Sequence, residues 1–483
     1  MALDIAGATV AVLGLGASGR AAARTLIQAG AQIIPVDDAA TEPVEGIAPI
    51  KGEQLDLAGI DLIVTSPGWP PWRPPLAEAV SAGIEIWSEV ELAWRTRAKK
   101  QAPWLCVTGT NGKTTTVELT AAILQAAGLN AVAAGNIGQP LVEAVSDESV
   151  ELFVCELSSF QLHFTSSIKP WAAALLNVAP DHLDWHGSQQ DYWRDKARIA
   201  DGAFLCVIVG PQKGLTEAVH RWGHPGRDSR ILGVTLGEPA DRQIGVVDGA
   251  IVDRAWADGE VLAQVSDLAH LATPRHGGAP GLAPRAASAP PDHLVLDALT
   301  AMALVRSLPG VEPPAIAKAL TDFAVGEHRM SLVGQIDAAD YFDDSKATNP
   351  HAVQADLAGF GPRSVVWVAG GLTKGTDIEE LVRGIVGKLR GVVLIGRDTA
   401  AFAGPLGRHA PGLPVVEVPD GETDVVMSRA VQAARRMASG AAAVVLAPAA
   451  ASQDQFTSYA ERGQAFAQAV RAESARAEVG GQE

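Results

Sequence analysis

The chain has 483 residues, 47% hydrophobic and 19% charged, with a formal net charge of −17 at pH 7. That length suits about three ordinary domains rather than one core, and the composition is that of a globular chain, neither disordered nor fibrous. The acidic balance disfavours non-specific attraction to nucleic acid or anionic lipid, so an anionic ligand must be met by local cations and backbone amides.

The opening "MALDIAGATV" carries Asp4 and no basic segment, unlike a secretory signal. The longest apolar run, "AAAVVLAPAAA" from Ala441, falls short of the ~20 residues that span a bilayer. No membrane insertion and a cytoplasmic location are expected. Cys106, Cys155 and Cys206 sit in "WLCVTG", "LFVCEL" and "FLCVIV" without metal or disulfide spacing, and read as buried hydrophobes in a reducing compartment.

In chain order, "ATVAVLGLGASGRAAARTLIQAG" reads as a strand, a Gly-rich turn and a helix, and "AQIIPVDD" as a second strand ending at Asp37 and Asp38. Gly14, Gly16 and Gly19 form a Gly-x-Gly-x-x-Gly turn that lets backbone approach a diphosphate, with Asp37 placed for a ribose hydroxyl. A nicotinamide dinucleotide, another nucleoside diphosphate and a purely structural turn all stay open. "DLIVTSPG" and "IEIWSEV" read as further strands, and the basic segment "RTRAKKQAPW" marks a domain boundary, placed at residue 97.

The second block opens with "WLCVTGTNGKTTT", residues 104–116, in which Val107 stands where the common phosphate-loop pattern wants its first glycine. Gly109 and Gly112 still allow successive amides to line an anion nest, Lys113 offsets phosphate charge, and the Thr114 hydroxyl faces Mg²⁺. The following helix carries Val117, Ala121 and Leu124 on one face. "VELFVCEL" delivers Glu156, either a magnesium ligand or a strand-end acid facing water. "NVAPDHLDWHG" clusters Asp181, His182, Asp184 and His186, either a second metal or phosphate site through His182 or a solvated loop. Lys196 in "YWRDKARIA" taken alone is a helix-surface lysine. Residues 273–292 form a Pro/Gly/Ala-rich insertion, and "HLVLDALTAMALVRSL" and "AIAKALTDF" read as helices closing the block at 326.

From residue 327, "RSVVWVAGG", "GVVLIG", "LPVVEV" and "AAAVVLAP" alternate with helical segments, the pattern of a parallel sheet wrapped by helices. "DDSKATN" at 343–349, "GGLTKGTD" with Lys374 and "APAAASQDQF" with Ser452 follow strands, where lysines can grip carboxylates; singly each reads as solvated surface. The tail beyond Val470 reads as frayed.

Together "GTNGKTT" (109–115), "GNIG" (135–138), "ELSSFQL" (156–162), "NVAPDHLD" (177–184), "DDSKATN" (343–349) and "ASQDQF" (451–456) resemble the Mur ligase family, the ATP-dependent amide-forming enzymes of bacterial cell-wall precursor synthesis. The resemblance covers nearly the whole chain and is to the D-glutamate-adding branch. It implies an α/β fold of three domains: residues 1–97, N-terminal Rossmann-like, for the UDP-sugar; residues 98–326, a central P-loop-type ATPase with a mostly parallel sheet; and residues 327–483, C-terminal Rossmann-like, for D-glutamate. The implied reaction phosphorylates the terminal carboxylate of UDP-N-acetylmuramoyl-L-alanine with ATP. The amine of D-glutamate then attacks the acyl phosphate through a tetrahedral intermediate, giving ADP and phosphate.

By matching positions, the resemblance assigns ATP to Gly109, Thr110, Asn111, Gly112, Lys113, Thr114, Thr115, Arg329 and Asp344. It assigns the UDP-sugar to Gly16, Ala17, Ser18, Asp37, Asp38, Ser66, Pro67, Gly68, Asn136 and Ser158, and D-glutamate to Lys346, Thr348, Lys374, Ser452, Gln453 and Tyr459. Two Mg²⁺ ions fall to Thr114, Glu156, His182 and Lys196, the last as a CO₂-derived carbamate, and the catalytic residues are Lys113, His182 and Lys196. Carbamylation needs a neutral amine, which burial or nearby cations must favour. A monomer is implied. The chain departs from the family at its adenine-side His-Asn-x-x-Asn run, here His293, Leu294 and Asp297, and has Gln453 for a frequent Leu and Tyr459 for a usual Phe.

Overall fold

The computed structural model describes residues 5–97, 102–210, 214–226, 229–271, 290–438 and 443–480. The Pro/Gly/Ala-rich insertion expected at 273–292 lies, up to residue 289, outside them.

Strands β1 (Thr9–Leu13), β2 (Gln32–Val36), β3 (Leu62–Thr65) and β4 (Glu85–Ser88) form a parallel sheet in the order β2-β1-β3-β4. The order reverses at β1, so the glycine turn after it opens at a switch point, where ligands of such sheets bind. Gly14 at φ +84° needs its missing side chain there, and a Cβ on Gly19 would overlap the Gly14 carbonyl. The strand expected over "IEIWSEV" stops at Ser88, whose Oγ accepts from Glu91 N and starts the helix Glu89–Thr96. A Ser followed by acids is a helix start, and it outweighs the β-branched residue beside it.

The central sheet holds β5 (Trp104–Thr108), β6 (Ala131–Gly135), β7 (Leu152–Glu156), β8 (Ala172–Leu175), β9 (Leu205–Val209), β10 (Arg230–Val234), β11 (Gln243–Val247), β12 (Ala250–Asp253) and β13 (Glu260–Gln264). Their order is β13-β12-β11-β10-β9-β8-β5-β7-β6, with β12 and β13 antiparallel to their neighbours and the rest parallel. Because β5 lies between β7 and β8, its carboxyl end is the switch point of this sheet. The β11–β12 hairpin was not expected, although its signal is present: Asp248 and Gly249, at φ 48° and 82°, form the Asp-Gly turn that such hairpins favour.

The third sheet runs β14-β15-β19-β16-β17-β18, with β14 (Ser331–Ile336), β15 (Ala339–Asp343), β16 (Val365–Ala369), β17 (Leu389–Leu394), β18 (Val415–Glu417) and β19 (Ala443–Leu446). Only β14 is antiparallel to its neighbour. Apolar clusters cover both faces, which is why runs such as "VVWVA" are hydrophobic without alternation. The last helix, Tyr459–Gly480, continues through the tail expected to fray. Val470 is fully buried, Ala477 packs on the same apolar cluster, and Glu473 holds Arg435 at 2.8 Å and Arg476 at 3.3 Å, so a mostly polar segment is fixed by apolar contacts and an ion-pair network.

The chain divides into two compact units. The first comprises residues 1–178, 185–267 and 294–323 and holds the first two sheets; the second comprises 179–184, 268–293 and 324–483 and holds the third.

Candidate active site

The fully buried strand β5 carries the chain to Thr108, whose Oγ1 donates to Leu157 O at 2.7 Å. Asn177 then clamps the loop: its carbonyl accepts from Thr110 N (2.9 Å), its Oδ1 accepts from Asn111 N (2.9 Å) and its Nδ2 donates to Asn111 O (3.1 Å). Gly112 turns the chain at φ +83°, and a Cβ there would overlap the Asp297 carboxylate. A Cβ on Gly109 would lie 2.9 Å from that of Leu176. These two glycines make the tight curve, and the buried Val107 belongs to the strand. The helix Lys113–Ala126 starts at Gly112 with no side-chain cap, which leaves its first turn suited to an anion.

Lys113 Nζ donates to Gly109 O and Thr110 O, both at 2.9 Å, and so lies over the loop. Thr114 Oγ1 donates to Glu156 Oε2 at 2.8 Å, and Asn136 Nδ2 to Glu156 Oε1 at 2.8 Å. Glu156 is 2% exposed, so a buried carboxylate is met by two neutral donors. A hydroxyl and a carboxylate oxygen side by side are hard ligands that fit Mg²⁺. Among the described residues no group of three or more His, Cys, Asp or Glu forms a ready metal cage. Mg²⁺ is commonly held in this sparse way, by one or two carboxylates plus substrate phosphates.

The helix Gln189–Ala197, capped by Ser188, turns Tyr192, Asp195 and Lys196 inward. Lys196, a surface lysine on sequence alone, is 2% exposed and donates to Gly109 O at 2.7 Å above the Tyr192 ring. Tyr192 OH lies 3.0 Å from Thr110 Oγ1. Beside it, Asp195 Oδ2 is 2.9 Å from both His163 Nδ1 and His186 Nδ1, and His186 Nε2 is 2.9 Å from Ser159 Oγ. Burial raises the Asp195 carboxyl, but the two imidazoles together outweigh it and hold the group below the usual carboxylate range. Sequence reasoning gave no role to Tyr192 and Asp195, which carry no motif of their own, nor to Asn177, which opens "NVAPDHLD". The cluster read at 181–186 is divided: His186 belongs to the first unit, whereas Asp181, His182 and Asp184 are grouped with the second. His182 has φ 53°, and Asp181 accepts from its amide at 2.9 Å.

At the first sheet, Asp37 accepts from Leu15 N at 2.7 Å and from Ala39 N and Ala40 N at 2.8 Å. Burial raises its carboxyl, yet these amides and Lys51 bring it below the ordinary value. Asp38 accepts from Gly52 N at 3.0 Å and pairs with Arg73 at 2.8 Å. Asp37 therefore shapes the glycine turn, and Asp38 fixes the segment at Gly52 and Arg73. Ser66 Oγ donates to Gly14 O at 2.9 Å, and Trp185 Nε1 donates to Pro67 O at 3.1 Å, while Gly68 is exposed. Gly16 and Ala17 are exposed and Ser18 half-buried at the start of the helix Ala17–Gln28, which has no side-chain cap. Ser158 caps the short helix Ser159–His163 with Gln161.

At the third sheet, β15, β16 and β19 deliver three loops to one rim. The first holds Lys346 and Thr348, the second Lys374, the third Ser452 and Gln453. Lys346 Nζ stands 5.5 Å from the Tyr459 ring centre. Ser452 is 1% exposed, and its Oγ has no partner among the described residues; Gln453 is exposed. The antiparallel β14 starts beside the end of β15, which sets Arg329 at the same edge as Asp344. Arg329 Nε and Asp344 Oδ2 are likewise buried without partners among the described residues. Burial and the neighbouring Asp356 push the Asp344 carboxyl well up. Unpartnered buried polar atoms on one rim are the mark of a ligand site.

A phosphate loop at the switch point of a nine-stranded sheet, joined in one chain to two Rossmann-like sheets, defines a nucleotide-using enzyme of three α/β domains. Comparison with known proteins agrees. A Mur ligase middle domain model matches residues 107–209, and a Mur ligase, glutamate ligase domain model matches 328–476. The UDP-N-acetylmuramoylalanine--D-glutamate ligase of Streptomyces coelicolor is 44% identical, covering 98% of this chain and 99% of its own. That of Mycobacterium tuberculosis is 43% identical, covering 96% of each. The chain belongs to the Mur ligase family, in the branch of these UDP-N-acetylmuramoylalanine--D-glutamate ligases. The fold is shared with the solved UDP-N-acetylmuramate-alanine ligase of Thermotoga maritima, at TM-score 0.52 and 17% identity over 96% of this chain and 99% of that one. A murein peptide ligase from Psychrobacter arcticus matches at TM-score 0.53 and 17% identity with the same coverage.

Proposed function

We infer that the chain joins D-glutamate to UDP-N-acetylmuramoyl-L-alanine with ATP, in the synthesis of peptidoglycan precursor. The observation that carries this is the loop 108–115, where Lys113, Thr114 and Glu156 converge at a helix start within a chain 44% identical to a ligase of that name.

A carboxylate is a poor electrophile until one oxygen becomes a leaving group. Its oxygen attacks the γ-phosphorus, ADP departs, and the acyl phosphate forms. The amine of D-glutamate, having lost a proton, adds to the carbonyl carbon; the tetrahedral intermediate collapses with phosphate leaving and the amide formed. Lys113 and the loop amides of Gly109 to Thr115 offset the repulsion between triphosphate and carboxylate. Thr114 and Glu156 would hold one Mg²⁺, and His182 with a carbamate on Lys196 a second; such ions would supply charge stabilisation. Burial favours the neutral lysine amine that CO₂ requires, and Lys196 is 2% exposed.

Residues 1–97 bind the UDP-sugar through Gly16 to Ser18, Asp37, Asp38 and Ser66 to Gly68, with Asn136 and Ser158 from the central domain of 98–326. Residues 327–483 add Arg329 and Asp344 for ATP, and Lys346, Thr348, Lys374, Ser452, Gln453 and Tyr459 for D-glutamate. One chain carries all three sheets, which supports a monomer. No helix among the described residues is long and apolar enough to cross a membrane. A cytoplasmic location accords with the nucleotide substrates of this reading.

The test is ADP release with UDP-N-acetylmuramoyl-L-alanine and either D- or L-glutamate. Release that requires the UDP-sugar and D-glutamate together is expected, slower in CO₂-depleted buffer and restored by bicarbonate. Equal release without an amino acid would mark a simple ATPase.

A further inference from the structure

Arg462, on the last helix, is 1% exposed, and each of its acceptors is a neutral oxygen. Its Nε donates to Ser345 Oγ at 3.0 Å, Nη2 to Ser345 O at 3.0 Å and Ala450 O at 3.1 Å, and Nη1 to Gly370 O at 3.4 Å. Burial pushes the guanidinium down to about 10, against the pull of Asp454 and Asp343. Burying a charge this way is costly, and an apolar side chain of the same volume often serves stability as well.

The acceptors explain the choice. Ser345 follows β15, Gly370 follows β16 and Ala450 follows β19, so one planar group reaches all three loops of the rim. Ser345 Oγ in turn donates to Tyr459 O at 2.8 Å. The loops need holding: Lys374 and Ala449 sit at φ 52° and 56°, where side chains are strained. Leu372 and Ala451 exchange two backbone bonds at 2.9 Å, and a Cβ on Gly371 would overlap Ala451 O and stand 3.3 Å from Arg462 Nη1. The fork fits a space made for it, and its flat, fixed donors tie three separate chain segments as a lysine's single ammonium does not.

We propose that Arg462 is a positioning residue of the amino-acid site, setting the loops of Lys346, Lys374 and Ser452 in register so that they meet the substrate's carboxylates together. This rests on the reading of the rim as the D-glutamate site.

The test compares wild type with Arg462→Met, Arg462→Lys and Ser345→Ala, measuring kcat and the KM of each substrate, with hydrogen exchange in 370–376 and 449–456. Arg462→Met is expected to raise the KM for D-glutamate about tenfold or more, leaving those for ATP and the UDP-sugar within about twofold. Arg462→Lys recovers part of the loss, Ser345→Ala shows a smaller rise, and exchange in both loops quickens in the same order. An unchanged KM for D-glutamate, or equal rises for all substrates, overturns the proposal. Should Arg462→Met fail to fold, Ser345→Ala decides: unaltered D-glutamate KM and loop exchange refute it. Wild-type protein that releases no ADP in response to D-glutamate defeats the reading of the rim itself, and exchange alone then judges the brace.

Discussion

The phosphate loop of the central sheet is one unbroken run whose functional side chains already have protein partners: Lys113 lies on its own loop carbonyls, and Thr114 is bound to Glu156. The rim of the third sheet is assembled from separate loops that follow Asp343, Ala369 and Leu446, and leaves Arg329 Nε, Asp344 Oδ2 and Ser452 Oγ buried without partners among the described residues. The first site is shaped by local geometry, glycine at two points and a strand running into a helix. The second depends on the sheet for its framework and on a buried arginine for its register. A loop that satisfies itself holds its shape before any substrate arrives, whereas buried atoms without partners cost stability until a ligand meets them.

The comparison is broken most forcefully at Lys113. Lys113→Ala removes the cation proposed to face the triphosphate and nothing from the core, so turnover is expected to fall about a thousandfold or more with the melting temperature little changed. Near-normal ADP release would remove the phosphate role from this loop. Ser452→Ala asks the milder question at the other rim. Its hydroxyl has no partner to lose among the described residues. The KM for D-glutamate is therefore expected to rise about tenfold, the worth of one hydrogen bond, with stability equal to or above wild type. A loss of stability with unchanged KM would show that the hydroxyl serves the fold.

This contrast also decides what the sequence could reveal. Gly109, Gly112, Lys113 and Thr114 are legible because their chemistry is packed into one short stretch, whereas the switch-point position of β5 appears only once β7 and β8 pair on either side of it. Lys346, Lys374 and Ser452 are visible only as polar residues after strands; the resemblance, not their spacing, grouped them. Tyr192 gives no local sign and Asn177 shows only as the start of "NVAPDHLD", because their value comes from where the helix Gln189–Ala197 and the end of β8 meet the loop. Arg462 is the extreme case, an arginine in a polar helix whose partners lie up to 117 residues away. The hairpin at Asp248 and Gly249 is different: its turn was readable and was passed over. The frayed tail expected beyond Val470 failed because the polar residues after it hide a helix that Ala477 still packs on the core and that Arg435 holds through Glu473.

The smallest effect concerns stability, and it separates the two units by pH. In the first unit Glu89 is 4% exposed; its Oε1 accepts from Val142 N at 2.6 Å, and its Oε2 has no partner among the described residues. Burial raises this carboxyl from 4.5 to about 7. Between those values the folded chain keeps a proton that the unfolded chain has released, so stability falls as pH rises through the window and is level above it. In the second unit His328, bonded to Asp343 at 2.6 Å, is raised from 6.5, chiefly by that bond. Its contribution is complete below 6.5 and is lost as pH climbs through the raised value. Glu89→Gln keeps the acceptor for Val142 and cannot ionise. It is expected to remove the fall between about pH 4.5 and 7 and to gain about 1–3 kcal/mol at pH 8, with the His328 loss above pH 6.5 retained. Urea midpoints at pH 5 and pH 8, with hydrogen exchange followed in β5 and β16, assign each window to its unit. A wild-type slope in the variant would mean that Glu89 ionises freely, and that the pH response of the first unit comes from another group.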